Sequence, residues 1–330
     1  MRLFLGVDGG QTATKTVMAD ENSTLLAHAS GGPSNHTEEP GGPERLERVV
    51  LETIREALAT MHISNPEEHT FASACFGMTG ETEIKTQILK RIVRADHLSV
   101  VHDSVNALAG ATAGQPGIIV IGGTGSVARG INAQGQEARV GGWTHLFGDE
   151  GSAYWIGRAA VRATLAEYDR VGPKTVLTPM LFEPLAVASP YQLIEKYYAG
   201  TLTRDHLAGL SVQVDEAARQ GDEVAQAILR EAARHLAEYA RAVIALIFPH
   251  SDDPAHMAVG QKFLVCYAGG VFQSELLVQS FADFVIRDDH RAEVRPALLP
   301  PVLGSLLLAY RTAGVEPPPN AVSSWAKPAA

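Results

Sequence analysis

Residues 3–16 read Leu3-Phe4-Leu5-Gly6-Val7-Asp8-Gly9-Gly10-Gln11-Thr12-Ala13-Thr14-Lys15-Thr16, and residues 118–127 read Ile118-Ile119-Val120-Ile121-Gly122-Gly123-Thr124-Gly125-Ser126-Val127. In each stretch an apolar run of strand length breaks at a glycine-rich turn, and a second extended run follows. A glycine turn carries no side chain over its backbone N–H groups, so an anion can approach them closely. Two such turns, more than a hundred residues apart, imply a duplicated fold holding one polyphosphate between its halves. The chemistry they point to is phosphoryl transfer.

Outward from the first turn, Leu3–Val7, Thr14–Ala19 and Thr24–Ala29 read as an antiparallel three-strand meander, short and divided by turn residues. Glu44–Met61 then sets Leu46, Val49, Val50, Ile54, Leu58 and Met61 on one helical stripe. A strand at Phe71–Phe76, a helix at Thr82–Val93, a strand at Leu98–Val101 and a helix at Ser104–Ala113 complete the first third. At Gly117 the order starts again, with strands Ile118–Ile121, Val127–Ile131 and Glu137–Val140 and a helix from about Gly151. A helical insertion spans Tyr191–Gln220, and Asp222–Phe248 is a long amphipathic helix whose face suits a homodimer. A strand at Phe263–Tyr267 and helices at Ser274–Phe284 and Leu303–Thr312 follow. The tail from Val315, with Pro317-Pro318-Pro319, is expected to be a poorly ordered end. The expected domains are 1–115 and 116–300, with a helix at 301–314 packing back on the first domain and a tail at 315–330.

Composition narrows the function classes. The 330 residues are 45% hydrophobic and 19% charged, as in a globular chain with room for two domains and a large core. A formal net charge of −10 with scattered Lys and Arg argues against nucleic acid or an anionic membrane as partner. The only cysteines, Cys75 and Cys266, sit in apolar strand-like runs and show no metal-ligand or disulfide spacing. No apolar stretch reaches membrane-spanning length, and the first strand is too short for a signal peptide, so a reducing cytoplasm is expected.

Several side chains beside these turns carry candidate chemistry. Asp8 ends a buried strand where a carboxylate has no packing role, and it suits a magnesium ion held through water. The amides of Gly9, Gly10, Gln11 and Thr12, with Lys15 just beyond, suit phosphate oxygens. Gly123, Thr124 and Gly125 form a strand–loop–strand turn that is neither a dinucleotide fingerprint nor a Walker A loop. Asp103 follows the strand Leu98–Val101; it reads as a helix N-cap or, with capping left to Ser104, as a general base at a strand's carboxyl end. Trp143 to Ser152 is the densest polar cluster, where an indole, an imidazole and the acids Asp149 and Glu150 suit a sugar. Asn35 and His36 lie in a second polar loop, and Gly270 and Ser274 in a third glycine turn suited to a purine or ribose. Taken singly, a hairpin turn, a helix cap or a loop entering a helix accounts for each.

Together these motifs resemble the sugar kinase, Hsc70 and actin superfamily. Within it, Ser34-Asn35-His36, Gly123-Thr124-Gly125-Ser126, Gly141-Gly142-Trp143 and Gly148-Asp149-Glu150-Gly151-Ser152-Ala153-Tyr154-Trp155-Ile156 resemble the N-acetylglucosamine kinases of the BadF/BadG/BcrA/BcrD ATPase group over nearly the whole chain. The resemblance implies an α/β fold of duplicated ribonuclease-H-like (actin/hexokinase-type) domains with an interdomain cleft. It implies ATP and Mg2+ as cofactors, an amino sugar as small-molecule partner, and transfer to the 6-hydroxyl of N-acetylglucosamine. Glucosamine, N-acetylmuramic acid and N-acetylmannosamine stay open, as does an ATP-driven activator of an electron-transfer partner. By the same resemblance Asn35, His36, Asp103, Trp143 and Asp149 bind sugar, with Asp103 the catalytic base. Thr12 and Thr124 contact ATP phosphates, Asp8 is the acidic position of the first loop, and Ala218, Gly270 and Ser274 contact the nucleotide. Gln11 stands where the family often carries another glycine.

Overall fold

The computed structural model describes residues 1–10, 12–35, 37, 39–63, 69–248 and 262–326. The chain forms two units, Met1–Gln115 together with Ala297–Ala330, and Pro116–Pro296. In the first, β1 (Leu3–Gly9), β2 (Thr14–Asp20) and β3 (Leu25–Gly31) form an antiparallel meander. Then come α1 (Gly42–Thr60), β4 (Thr70–Phe71), β5 (Ser73–Met78), α2 (Glu83–Ile92), β6 (Arg94–Ala95), β7 (Leu98–His102) and α3 (Asp103–Ala111). The sheet runs β3-β2-β1-β5-β7. Because β5 and β7 add in parallel, the carboxyl ends of β1, β5 and β7 lie side by side, with Asp8 opposite Gly77 and Met78 opposite His102. β4 and β6 pair separately; at two residues each they are too short for any periodic signal.

Pro116–Pro296 repeats this plan. β8 (Gly117–Gly122), β9 (Ser126–Ile131) and β10 (Glu137–Gly141) are its meander. The helices α4 (Thr144–Phe147), α5 (Ala153–Tyr168), α6 (Leu177–Phe182), α7 (Pro190–Tyr198), α8 (Arg204–Gly209), α9 (Ser211–Arg219) and α10 (Glu223–Ile247) follow. β11 (Phe263–Ala268), a short 3-10 turn at Gly270–Gln273, α11 (Glu275–Asp288) and β12 (Ala292–Pro296) close the unit. Its sheet order, β10-β9-β8-β11-β12, has the same parallel and antiparallel pairings as the first. β12 has no counterpart among the strands expected from sequence. It is an edge strand, so half-buried Glu293 and Arg295 and a terminal Pro296 are tolerated there and mask its pattern. The apolar stripe of α10 is occupied by its own unit's core, through Leu236, Ala240, Val243 and Ile247.

The chain then returns to the first unit as α12 (Pro301–Thr312) and α13 (Pro319–Trp325). Alternation along β1 divides it between two cores: Leu3, Leu5 and Val7 face α1, while Phe4 faces α12 and stacks on Tyr310 at 4.0 Å. Gly6 permits this, since a Cβ there would lie 2.5 Å from the Leu306 nitrogen. The tail is thus ordered as far as Trp325, contrary to the sequence expectation. The proline run supplies the first turn of α13. Trp325 is 5% exposed and donates Nε1–H to the Ser23 carbonyl at 2.9 Å.

Candidate functional site

In the first unit the strand ends collect a network around two carboxylates. Asn106, on α3, donates Nδ2–H to Asp8 Oδ1 at 3.0 Å and also reaches Ser305 Oγ (3.0 Å) and the Pro301 carbonyl (3.2 Å). Ser305 in turn donates to the Val7 carbonyl at 2.8 Å. Burial pushes the Asp8 carboxyl above its ordinary value; the Asn106 bond opposes this, the Asp103 charge adds to it and the Lys15 charge opposes it.

Asp103 opens α3, with its side chain 36% exposed. Thr79 Oγ1 donates to its Oδ2 at 2.9 Å, and His102 Nδ1 lies 2.8 Å from its Oδ1. Burial alone raises its pKa, yet the hydrogen bond and charge of His102, the Thr79 hydroxyl and the Ser104 amide together hold it below the ordinary range. Ser104 is not the cap: His102 Nδ1 lies 3.2 Å from the Ser104 nitrogen and 2.8 Å from Asp103 Oδ1, and with the ring proton on Nδ1 it donates to the carboxylate while the Ser104 N–H turns to Asp103 as well. Asp103 is thereby left ionised, partly open and within the field of Asp8.

Asn35 is 3% exposed, and its Nδ2 is enclosed with no hydrogen-bond partner. Its loop is tied down: Thr14 Oγ1 donates to the Gly32 carbonyl and reaches Ser34 Oγ, both at 2.8 Å, and Arg45 Nη2 donates to the Asn35 carbonyl at 2.9 Å. Gln11 and His36 lie outside the described residues. Thr12 and Lys15 are exposed, with Lys15 across the register from Asp8. Gly9 is demanded by packing, since a Cβ there would meet Met78 Sδ at 2.5 Å and Ser34 Oγ at 2.6 Å. The Gly10 amide is spent within the turn on the Ala13 carbonyl at 3.0 Å.

In the second unit the turn after β8 is knitted to the loop before α5. Ser126 N–H donates to Asp149 Oδ1 at 3.1 Å, Ser126 Oγ to the Glu150 carbonyl at 2.8 Å, and Ala153 N–H to the Gly123 carbonyl at 2.9 Å. Arg204 Nη2 holds Asp149 Oδ2 at 2.7 Å. Gly123 faces open space, with Thr124 beside it at the tip, whereas a Cβ on Gly125 would lie 2.8 Å from Asp149 Oδ2. Trp143 is 66% exposed, with the Arg139 guanidinium 5.6 Å from its ring centre.

The third glycine turn presses on the second: Gly269, at φ 105°, would place a Cβ 2.3 Å from the Gly122 carbonyl oxygen. Gly270 has open space around its α-carbon, while Ser274 Oγ is committed to the Leu277 N–H as the α11 cap at 3.4 Å. The Ala218 carbonyl accepts from Gly221 N–H and Gln226 Nε2–H, both at 3.1 Å. Arg219, next to Ala218, feels the charge of Glu275, next to Ser274. Thr79, His102, Asn106 and Ser305 in the first unit and Arg204 in the second escape sequence reasoning. Only Asn106, three residues after Asp103 on one helix, leaves a spacing signal.

Among the described residues no three His, Cys, Asp or Glu side chains converge on a metal position. Asp8 beside the charge of Asp103 suits a cation that keeps most of its water, as magnesium does, and whose charge relieves their repulsion.

The profile of the BadF/BadG/BcrA/BcrD ATPase family matches residues 5–309. An N-acetylmuramic acid/N-acetylglucosamine kinase of Clostridium acetobutylicum is 34% identical over 292 residues, 86% of this chain and 90% of that protein. An N-acetyl-D-glucosamine kinase of Dictyostelium discoideum is 31% identical over 321 residues, 94% of this chain and 98% of that protein. The crystal structure of a candidate N-acetylglucosamine kinase from Chromobacterium violaceum is similar at TM-score 0.72 and 27% identity, covering 94% of this chain and 99% of that one.

Proposed function

We propose that this chain, which belongs to the BadF/BadG/BcrA/BcrD ATPase family, is an ATP-dependent amino-sugar kinase phosphorylating the 6-hydroxyl of N-acetylglucosamine. Its two sheets of shared topology are the two ribonuclease-H-like domains of the actin-like sugar kinases. The observation that carries the reading is Asp103, a carboxylate kept ionised by Thr79 and His102 at the carboxyl end of a parallel strand, yet still partly open.

Phosphoryl transfer leaves little covalent work to the protein, so positioning and charge neutralisation dominate. Asp103 accepts the proton of the sugar 6-hydroxyl as that oxygen bonds to the γ-phosphorus, and the bond from phosphorus to the bridging oxygen breaks to release ADP. The unpartnered Asn35 Nδ2–H supplies a donor for a sugar oxygen, and an enclosed donor gains most from such a ligand. Asp149 accepts from a sugar hydroxyl and the Trp143 indole offers the sugar an apolar face, and His36, next to Asn35 in the chain, is read as a further sugar contact. The glycine turn of the second unit, Gly123, Thr124 and Gly125, binds phosphate, as does that of the first, Gly9, Gln11, Thr12 and Lys15, where the Gly10 N–H is already spent on Ala13; Ala218, Gly270 and Ser274 hold the nucleoside. Since Ser274 Oγ already caps α11, its share is the close approach of backbone. Magnesium, held by Asp8, would neutralise phosphate charge. A cytoplasmic homodimer, paired through a face other than the α10 stripe that its own core occupies, completes the reading. No helix among the described residues is long and apolar enough to cross a membrane.

An ADP-release assay over N-acetylglucosamine, glucosamine, N-acetylmuramic acid, N-acetylmannosamine and glucose tests this, with the product position read by NMR. Turnover highest with N-acetylglucosamine and a 6-phosphate product are expected. ATP hydrolysis indifferent to every sugar would remove the kinase reading.

A further inference from the structure

Asp149 is 3% exposed and sits at φ 62°, a left-handed conformation that costs a non-glycine residue energy. A buried charge on such a backbone needs a partner. Asp149 takes it from the helical insertion, since Arg204 Nη2 lies 2.7 Å from Oδ2 while the Ser126 amide occupies Oδ1.

The sequence around Arg204 fixes its reach. Thr203 Oγ1 accepts the His206 N–H and His206 Nδ1 accepts the Thr203 N–H, both at 3.2 Å, a reciprocal cap that sets Arg204 at the first position of α8. α8 lies backbone-close on α5, because a Cβ at Gly157 would be 1.8 Å from the Leu207 carbonyl oxygen. Arg204 Nε is enclosed and has no partner. A guanidinium placed only to balance a carboxylate would gain by pairing that donor too.

We propose that Arg204 is a positioning residue of the sugar subsite, locking the Asp149 carboxylate against the second glycine turn so that its remaining lone pairs face substrate hydroxyls. A carboxylate accepts about four hydrogen bonds, and Ser126 and Arg204 take one each. Without Arg204 the carboxylate loses the guanidinium that fixes its rotamer and turns toward water, which weakens it as an acceptor for the sugar. This inference rests on the reading of Asp149 as a sugar ligand.

Arg204→Met keeps the length and apolar stem, and Arg204→Lys keeps the charge. Calorimetric titration of N-acetylglucosamine into ADP-loaded enzyme, with KM for both substrates, tests them. Arg204→Met is expected to weaken sugar binding about tenfold to a hundredfold, and ATP KM to stay within about twofold. Arg204→Lys is expected to recover part of the loss. The Arg204→Met, Asp149→Asn double variant is expected to be no worse than the weaker single variant, because both remove one device. Wild-type sugar affinity in Arg204→Met, additive losses in the double variant, or an equal loss of ATP affinity each overturn the proposal. Should Arg204→Met fail to fold, as judged by circular dichroism, an unchanged sugar KM in Arg204→Lys overturns it and a raised sugar KM at constant ATP KM sustains it. Wild-type enzyme that binds no amino sugar overturns the kinase reading and this inference together.

Discussion

Gly304→Ala tests whether the Asp8 carboxylate is held by helix packing. A Cβ at residue 304 would stand 1.9 Å from the Asn106 carbonyl oxygen and 2.5 Å from the Gly110 nitrogen, both backbone atoms that cannot rotate away. Ordinary contact begins at 3.4 Å, so α3 and α12 must part by about 1.5 Å. Asn106 Nδ2 reaches Ser305 and Pro301 on α12 at 3.0 and 3.2 Å as well as Asp8 on β1 at 3.0 Å, and that displacement takes the two bonds to α12 beyond hydrogen-bond range, freeing the amide to turn away from Asp8. Overpacking costs about 1–3 kcal/mol and each lost bond about 1 kcal/mol. The total of about 3–5 kcal/mol corresponds to a fall in Tm of about 10 °C. At a temperature where the variant stays folded, a misplaced Asp8 should lower kcat by about a hundredfold. Differential scanning calorimetry with steady-state ADP release checks both effects. Gly209→Ala, where a Cβ meets nothing within 4 Å, is the neutral control. A Gly304→Ala protein that melts and turns over like wild type would refute the reasoning.

Asp103→Asn should lower kcat by about 10²–10⁴-fold with the fold intact by circular dichroism and a modest fall in Tm at pH 7; near-normal kcat would exclude Asp103 as the base. Asp8 and Asp103 should act on stability with opposite signs. The raised Asp8 carboxyl stabilises the fold when protonated, below the ordinary 3.8, and this is lost as pH rises through its folded value. The lowered Asp103 carboxyl stabilises above 3.8 and loses this as pH falls through its folded value. Asp8→Asn, which keeps an acceptor for Asn106, is therefore expected to raise Tm at pH 7 in metal-free buffer, with the advantage shrinking on acidification. A lower Tm than wild type at pH 7 would show that burial and repulsion do not dominate at Asp8. Trp325→Ala should cost about 3–5 kcal/mol, read as an earlier calorimetric transition, and an unshifted transition would mean the tail helix contributes nothing.

Both meanders were legible because short apolar runs between turn residues have few other readings, and their repetition fixed the duplicated class. The long stripe of α10 was legible for the same reason, as period 3.6 over 25 residues is hard to mimic. Edge strand β12 and the two-residue strands β4 and β6 were not, since they carry too little alternation to stand out. The tail helix was hidden by its prolines, which mark disorder and helix starts alike. At the site, Asp103 could be found from its place after a strand. Its supports could not: Thr79 meets it only through the register of β5 with β7, His102 precedes it with nothing in the sequence to say that the imidazole turns onto its own neighbour, and Arg204 meets Asp149 across 55 residues.

The glycines show why a motif needs its surroundings. Gly9 and Gly125 belong to the same kind of turn as Gly123, yet the reason for glycine differs. At Gly9 a side chain is excluded by Met78 and Ser34, and at Gly125 by the Asp149–Arg204 pair, whereas at Gly123 only open space is found. An anion-binding account from sequence assigns all three one cause. The coordinates give Gly9 and Gly125 a packing reason for glycine and show none at Gly123, whose own N–H is spent on the Gly125 carbonyl at 2.9 Å. Substitution separates the two: Gly125→Ala must displace the ion pair and should weaken sugar and ATP binding together, while Gly123→Ala disturbs no protein atom within 4 Å and should act on ATP alone. KM measurements for both substrates distinguish these outcomes, and equal effects of the two variants on ATP and sugar would undo the distinction.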